Sequence, residues 1–161
     1  MPMPEPVAVR SEPVPEEVER LLQSLPDWFG IEASNREYVD DARHLPTYAV
    51  RHDDTVIGIL LVKQHFPAAA EVHLMAVDPT HHRHGVGRAL VTAAETDLAA
   101  AGVRFLQVKT LSESRDNEHY ERTRRFYLAL GFTPLEEFPH LWDEGNPCLQ
   151  LVKTLPAPGD M

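Results

Sequence analysis

The feature that most constrains the fold is a glycine-containing loop between a predicted strand and a predicted helix. Glu71–Val77 is rich in apolar and β-branched residues and predicts a strand, whereas Pro79–Gly87 is rich in turn-forming residues. Apolar residues then recur at helical spacing from Val86 until Gly102. A further apolar run, Val103–Leu111, predicts a buried strand. Strand, loop, helix and strand form a βαβ unit, whose two strands are expected to run parallel.

The other predicted elements place this unit in a mixed sheet. A strand, two helices and a hairpin precede it, and a helix and two strands follow it. The expected features are a strand at Val7–Arg10, a helix from Val14 stopped by Pro26, a helix with a capping box of Ser34 and Glu37 that ends before Pro46, strands Thr47–His52 and Thr55–Phe66 around a turn at Asp53–Asp54, a helix near Tyr120–Leu130 closed by Gly131, and strands Phe132–Phe138 and Cys148–Leu155. We therefore expect an α/β (α+β) fold, a mixed central sheet of about six to seven strands flanked by about four helices.

Length and composition favour one domain without a nucleic-acid or membrane partner. The 161 residues correspond to about one domain, 1–161, ordered over about 5–155 with a frayed tail at 156–161. A net charge of −10 disfavours binding to phosphate backbones and suits a cationic small substrate. No signal sequence or run of ~20 apolar residues is found, and the single Cys148 excludes an intramolecular disulfide. We expect a cytoplasmic protein.

The glycine loop itself has the chemistry of an anion site. Gly85 and Gly87 allow close approach of the backbone to a ligand, and the first amides of the following helix stabilise negative charge. Arg83 and Arg88 would add charge-assisted hydrogen bonds, so a pyrophosphate is the expected ligand. A P-loop lysine is missing, and Leu90 stands where a dinucleotide fingerprint has its third glycine. An ordinary tight turn that caps a helix is the alternative.

The histidines of the loop and the single cysteine predict no chemistry of their own. The histidines of the loop, His81, His82 and His84, have no carboxylate or cysteine arranged to complete a metal site. We therefore expect no metal. Cys148 lies in an apolar strand pattern, which indicates a buried structural cysteine and not a nucleophile.

Two motifs resemble those of the GNAT superfamily of N-acetyltransferases. His82-Arg83-His84-Gly85-Val86-Gly87 is similar to its acyl-CoA-binding loop, with histidine at the first position where the family has Gln or Arg. Thr123–Phe132 resembles the family's helix that contains a tyrosine and ends in a Gly-Phe pair. The order of elements matches over nearly the whole chain, and Leu141–Lys153 with Lys109–Leu111 resembles one bacterial branch of the family.

The resemblance implies the GNAT fold and an enzyme that uses acetyl-CoA. In that family an acetyl group passes to a primary amine, by direct attack of the amine in a ternary complex. The acceptor would be a small molecule or a peptide. A noncatalytic acyl-CoA sensor or interaction module on the same fold is the alternative. A homodimer formed through the exposed final strands is a further expectation.

The resemblance also implies the cofactor-binding residues. Met75 and Val77 would pair with the pantetheine amides like an added strand, and the Val77 amide would face the thioester oxygen. Tyr127 matches the tyrosine that hydrogen-bonds and protonates the CoA sulfur; a core tyrosine beside Phe126 is the alternative. The predicted cofactor-binding set is Met75, Ala76, Val77, His82, Arg83, His84, Gly85, Val86, Gly87, Arg88 and Tyr127.

An alkylammonium must lose a proton before it can attack, so a base or a water chain is required. Glu71 lies six positions before Val77, which is similar to the placement of the general base in some branches of the family. Strand alternation places His73 on the same face as Glu71. Glu71 acting through water ranks first, and His73 acting directly ranks second. The alternative is that both are solvated side chains of a half-buried strand.

The acceptor is expected to lie between the early helices and the last hairpin. Trp28 and Phe29 follow the first helix, and Trp142 and Asn146 precede the last strand. Core packing is the alternative for the aromatic residues. Tyr120 stands seven residues before Tyr127, where the family often has an asparagine, so that contact is not carried over.

Overall fold

The computed structural model describes residues 5–142 and 145–158. Part of the tail expected at 156–161, namely 159–161, lies outside the described residues. The elements in chain order are β1 (Ala8–Ser11), α1 (Pro15–Gln23), α2 (Glu32–Asp41), β2 (Thr47–His52), β3 (Thr55–Phe66), β4 (Ala69–Val77), a 3-10 turn (Pro79–His81), α3 (Val86–Ala100), β5 (Phe105–Leu111), α4 (Glu118–Ala129), β6 (Thr133–Phe138) and β7 (Cys148–Thr154).

The seven strands form one mixed sheet in the order β1-β2-β3-β4-β5-β7-β6. The two strands of the predicted βαβ unit, β4 and β5, pair in parallel with Glu71 opposite Gln107. Strand β7 pairs antiparallel with both β5 and β6. This sheet with four helices confirms the predicted fold class.

The hairpin between β2 and β3 forms at the predicted position. Asp53 and Asp54 have φ angles of 51° and 68°, the left-handed conformation that both central residues of a type I′ turn adopt. Aspartate tolerates this region better than most residues, because its short side chain can bond locally. Two adjacent aspartates were therefore a sufficient signal for the turn.

The predicted capping box of the second helix is wrong. Helix α2 begins at Glu32, and its N-cap is Ile31, which makes no side-chain cap. Ser34 therefore lies inside the first turn. The Asn35 side chain instead donates from Nδ2 to the carbonyl of Phe29 at 2.8 Å and ties this turn to the preceding segment. This contact, with a residue six positions earlier, takes the place of a capping pattern worth ~1 kcal/mol.

Helix α4 begins two residues earlier than predicted because Asn117 caps it. The Asn117 Oδ1 accepts from the amides of His119 and Tyr120, at 3.0 and 3.3 Å. At the other end Gly131 has a φ of +97°, as the predicted helix terminator requires.

The chain divides into two compact units. One comprises the chain up to Lys63 together with His73–Leu98, and the other comprises Gln64–Val72 and the chain from Ala99 onward. The single domain expected over 1–161 stays a prediction.

The core of the first unit lies between α1 and the sheet. The apolar face predicted for α1 is buried, with Val18 and Leu21 0% exposed. It packs with Ile59, Leu61 and other buried residues in one cluster. Burial of each such side chain contributes about 1.5–3 kcal/mol to the free energy of unfolding, so α1 stabilises the sheet at β3.

In the second unit, α4 packs on β5 and carries the side chains of Tyr127 and Arg124. Both side chains are buried, and the Arg124 guanidinium donates to the carbonyl of Leu111 at 2.7 Å. A buried cation requires such a partner, because leaving it unpaired costs several kcal/mol. The contact joins the middle of α4 to the end of β5.

Candidate active site

The glycine loop forms a cradle at the N-terminus of α3. Arg83 and Gly85 have φ angles of 66° and 84°, so the chain turns sharply before the helix begins at Val86. The first intrahelical bond runs from the Ala89 amide to the Gly85 carbonyl at 3.0 Å. The amides of the first turn precede this bond and have no carbonyl one turn earlier in the helix to bond to.

The side chains around the cradle fit an anionic ligand. Arg83, His84 and Arg88 are exposed, and the first turn of α3 carries no acidic residue. A Cβ built on Gly85 would make only an ordinary van der Waals contact, with the Pro6 side chain at 3.7 Å. Open amides, a positive helix end and two guanidinium groups are what a pyrophosphate requires.

His82 departs from the family pattern, and it bonds to the strand end. Its Nε2 lies 2.8 Å from the carbonyl oxygen of Val77, which makes the ring nitrogen the donor. The neighbouring amide, that of Asp78, donates to the carbonyl of Ile57 at 2.8 Å. The peptide unit between Val77 and Asp78 is thus held from both sides, directly after the residue predicted to face the thioester.

Trp28 packs against the same histidine. The two ring centroids are 5.6 Å apart and the planes are nearly perpendicular. The segment predicted to contact the acceptor therefore meets the loop predicted to bind the cofactor. Of the predicted cofactor-binding residues at the end of β4, Met75 and Val77 are half-buried and Ala76 is buried.

Asp78 supports the turn that follows β4. Partial burial acts to raise its pKa, but hydrogen bonds from Thr80 and the proximity of His81 outweigh that effect, so the pKa lies below its usual value. The Thr80 amide donates to Asp78 at 2.9 Å. His81 lies beside Asp78 and His82 bonds to Val77, and no group of His, Cys, Asp and Glu within residues 5–142 and 145–158 is arranged to hold a metal ion.

Glu71 is buried in an ion pair. Its side chain is 9% exposed, and its carboxylate lies 3.3 Å from Lys109 Nζ and 2.7 Å from His65 Nε2. The solvated alternative for Glu71 is therefore wrong. Sequence reasoning missed both partners, because they lie on strands β5 and β3 and only the strand pairing brings them to Glu71.

His73 is held by helix α2. Its Nε2 lies 2.8 Å from Asp41 Oδ2, and its ring centroid is 5.4 Å from that of Tyr38. Phe29, predicted to contact the acceptor, packs in turn against Tyr38 at 6.1 Å. Asp41 was not among the predicted site residues, and nothing in its local sequence marks it.

Tyr127 lies in the core of the second unit, between Phe126 and Phe132 at centroid distances of 5.1 and 5.3 Å. Burial raises the pKa of its hydroxyl well above the usual range. A phenol that keeps its proton at neutral pH remains a hydrogen-bond donor, as the predicted role requires.

The two predicted acceptor residues near the last strand, Trp142 and Asn146, differ from each other in exposure and in bonding. Trp142 is 43% exposed. The Asn146 Oδ1 accepts from Arg115, which also donates to the Gly145 carbonyl at 2.9 Å. Cys148 is buried as predicted, and burial raises the pKa of its thiol to about 11.

The fold defines a class of protein, and the sequence matches one family within that class. A mixed sheet whose βαβ unit has a glycine turn between strand and helix places the chain among the α/β proteins. The chain belongs to the GNAT acetyltransferase family, because the model of the acetyltransferase (GNAT) domain matches residues 43–134, more than half of its length. Acetyl transfer is the general activity of that family. No curated protein matches the sequence.

Solved structures share the fold over nearly the whole chain. A GNAT-family protein from Desulfovibrio desulfuricans is 22% identical, with a TM-score of 0.78 over 92% of this chain and 98% of that one. The ribosomal-protein-S18-alanine N-acetyltransferase of Escherichia coli is 15% identical, with a TM-score of 0.73 over 92% and 94%. An aminoglycoside 6′-N-acetyltransferase complexed with coenzyme A is 21% identical, with a TM-score of 0.73 over 94% and 99%.

Among the helices of the described residues, none has both the length and the apolar character needed to span a bilayer.

Proposed function

We propose that this protein is an N-acetyltransferase that transfers the acetyl group of acetyl-CoA to a primary amine by direct attack in a ternary complex. The observation that carries the proposal is the cradle at the start of α3. Positive φ angles at Arg83 and Gly85, an open first turn without acidic residues and exposed arginines suit the pyrophosphate of the cosubstrate. The coenzyme A complex of the aminoglycoside 6′-N-acetyltransferase supports the choice of ligand.

Acetyl-CoA would be held by the chain's own backbone and hydroxyl groups. The cradle would take the pyrophosphate, Met75 and Val77 would pair with the pantetheine arm, and Tyr127 would donate to the sulfur. When bound, acetyl-CoA supplies an activated acyl group whose carbon–sulfur bond breaks as the carbon–nitrogen bond to the amine forms. The His82 contact to the Val77 carbonyl would hold the oxyanion-facing strand end in place.

The acceptor is proposed to be a cationic primary amine. The net charge of −10 favours such a substrate over an anionic one. Trp28 and Phe29 would line its site from the early helices, and Trp142 and Asn146 from the last hairpin. The fold serves both a ribosomal protein and an aminoglycoside among the structural neighbours, so it does not select between a peptide and a small molecule.

A noncatalytic acyl-CoA sensor is the second candidate. The observation that favours it is that the Glu71 carboxylate is already paired, with Lys109 at 3.3 Å and His65 at 2.7 Å. Both candidates require acetyl-CoA binding, and they differ only in turnover.

The test is a calorimetric titration with acetyl-CoA, followed by thiol release with spermidine, tobramycin and a peptide with an N-terminal alanine. An acetyltransferase binds acetyl-CoA and releases thiol with at least one amine above the blank without amine. If acetyl-CoA binds but none of the three amines causes thiol release, the result favours the sensor. Absence of binding contradicts both candidates. The blank also corrects for slow reaction of the thiol-detecting reagent with Cys148.

A further inference from the structure

Two side chains on β4 that can accept a proton are held in different ways. The Glu71 carboxylate faces two groups that can carry positive charge, because Lys109 Nζ lies 3.3 and 3.4 Å from its two oxygens and His65 Nε2 lies 2.7 Å from one of them. Protonation of Glu71 would leave the half-buried ammonium of Lys109 without its counter-charge. His73 faces an anion instead, since its Nε2 lies 2.8 Å from Asp41 Oδ2. Protonation of His73 would strengthen its contact.

The contact with Asp41 determines which nitrogen of His73 carries the proton. An ionised carboxylate can only accept hydrogen bonds, so Nε2 must be the donor. In the neutral ring the lone pair is then at Nδ1, and the described residues provide no hydrogen bond to that atom. The ring is ready to accept a proton at Nδ1, and Asp41 stabilises the imidazolium that results.

The position of His73 fits this use. It stands four residues before Val77 on β4, in the same compact unit as the cradle. Its ring packs on Tyr38, which packs on Phe29, a predicted acceptor residue. Within the described residues, the ring is bonded to Asp41 and makes a ring contact with Tyr38, both on α2.

The geometry points to His73 Nδ1 as the group that takes the proton from the acceptor ammonium, with Asp41 as the positioning residue that holds the ring in the Nε2–H form. The inference rests on the proposed function. His73 takes one proton from the ammonium, whose nitrogen then attacks the acetyl carbonyl carbon. As the carbon–nitrogen bond forms and the carbon–sulfur bond breaks, Tyr127 gives its hydroxyl proton to the departing sulfur, and the second proton lost by the nitrogen restores the Tyr127 hydroxyl through solvent. The products are an amide, a thiol and protonated His73, which returns its proton to solvent.

The first test is the protonation form of His73, read from long-range ¹H–¹⁵N spectra of the unliganded protein and therefore independent of turnover. The expected result is a ring protonated at Nε2 in the wild type and in Asp40→Asn, and a mixture in Asp41→Ala. Asp40 is a matched control, because it is the preceding residue of α2, 76% exposed and paired only with Arg43 among the ion pairs of the described residues. A wild-type ring protonated at Nδ1 overturns the inference.

The second test is steady-state kinetics with whichever of spermidine, tobramycin and the alanine peptide releases thiol fastest. His73→Ala should lower kcat by roughly 10²-fold or more, with partial recovery on addition of imidazole, and leave the acetyl-CoA Kd unchanged. Asp41→Asn should lower kcat by about 10–100-fold and move the acid side of the pH–rate profile to lower pH, because the charge that stabilises the imidazolium is lost.

The outcomes separate the two proposals. An active wild type whose kcat and pH profile are unchanged in His73→Ala overturns the assignment of His73 and leaves the acetyltransferase intact. A wild type that binds no acetyl-CoA contradicts the proposed function and removes the reaction that His73 would serve. Loss of kcat in His73→Ala without recovery by imidazole, together with an unchanged profile in Asp41→Asn, indicates a structural role only and also overturns the inference.

Discussion

Glu71 and His73 stand two residues apart on one strand, yet their partners come from different parts of the chain. Lys109 is 38 residues from Glu71, and Asp41 is 32 residues from His73. These partners decide what each side chain can do, because an adjacent cation disfavours proton uptake and an adjacent anion favours it. At the scale of single residues, therefore, residue type and spacing identify Glu71 and His73 as candidate bases. The charge of the partner of each side chain then ranks the two candidates.

Tyr127→Phe should lower kcat by roughly 10²-fold and change the acetyl-CoA Kd by less than about 2-fold. The hydroxyl matters most as negative charge develops on sulfur, and phenylalanine fills the same space between Phe126 and Phe132. Steady-state kinetics and calorimetry measure the two quantities.

Tyr48→Phe is the matched control for that variant. Burial, together with the hydrogen bond to Asp97, raises the pKa of Tyr48 to about 12, and its hydroxyl lies 2.7 Å from Asp97 Oδ2. Its loss should cost about 1 kcal/mol of unfolding free energy without a change in kcat. Equal turnover in wild type and Tyr127→Phe would remove Tyr127 from the mechanism.

Cys148 should resist alkylation in the folded protein. Burial raises the pKa of its thiol to about 11, so very little thiolate exists at pH 8, and the side chain is inaccessible. We expect iodoacetamide to react with the native protein far more slowly than with the protein unfolded in guanidinium chloride, as followed by mass spectrometry. Equal rates would contradict the buried structural role.

At the scale of elements, the junction of β4 and α3 creates the candidate cofactor site. The strand end is held by His82 and by the bond from Asp78 to Ile57, and the helix begins after two residues of positive φ, Arg83 and Gly85. The open amides belong to the first turn of α3, next to the segment that connects it to β4. The turn between them exposes these amides, because the first turn of a helix lacks internal acceptors.

Gly85→Ala should weaken acetyl-CoA binding by about tenfold, which corresponds to ~1.4 kcal/mol. The new Cβ would have room, since its closest neighbour lies at 3.7 Å, but a φ of +84° is strained for alanine by roughly 1–2 kcal/mol. Relief of that strain would displace the cradle amides. Calorimetry measures the effect.

Gly102→Ala separates strain from binding. Gly102 has a φ of +97° and open space around it, and it follows α3 at the end away from the cradle. This variant should lose a similar unfolding free energy, measured in urea, and keep the wild-type Kd. If both variants bind acetyl-CoA as the wild type does, the loop is an ordinary helix-capping turn.

At the scale of the whole molecule, the excess of acidic residues should act on the acceptor. A net charge of −10 attracts polycations over distances set by the Debye length, which falls from about 30 Å at 0.01 M salt to about 8 Å at 0.15 M. We expect kcat/KM for spermidine to fall across this range by considerably more than that for a monoamine. Parallel salt dependences for the two amines would contradict charge attraction as a source of selectivity.

The sequence by itself determined the order and type of the elements, the hairpin at Asp53–Asp54 and the glycine cradle, because these depend on periodicity and on backbone freedom within a few residues. It did not predict the start of α2, where the contact of Asn35 with Phe29 replaces the expected cap. Only the tertiary structure paired Glu71 with Lys109 and His73 with Asp41. Electrostatic character depends on distances across the sheet and to the packed helix, and local sequence does not encode those distances.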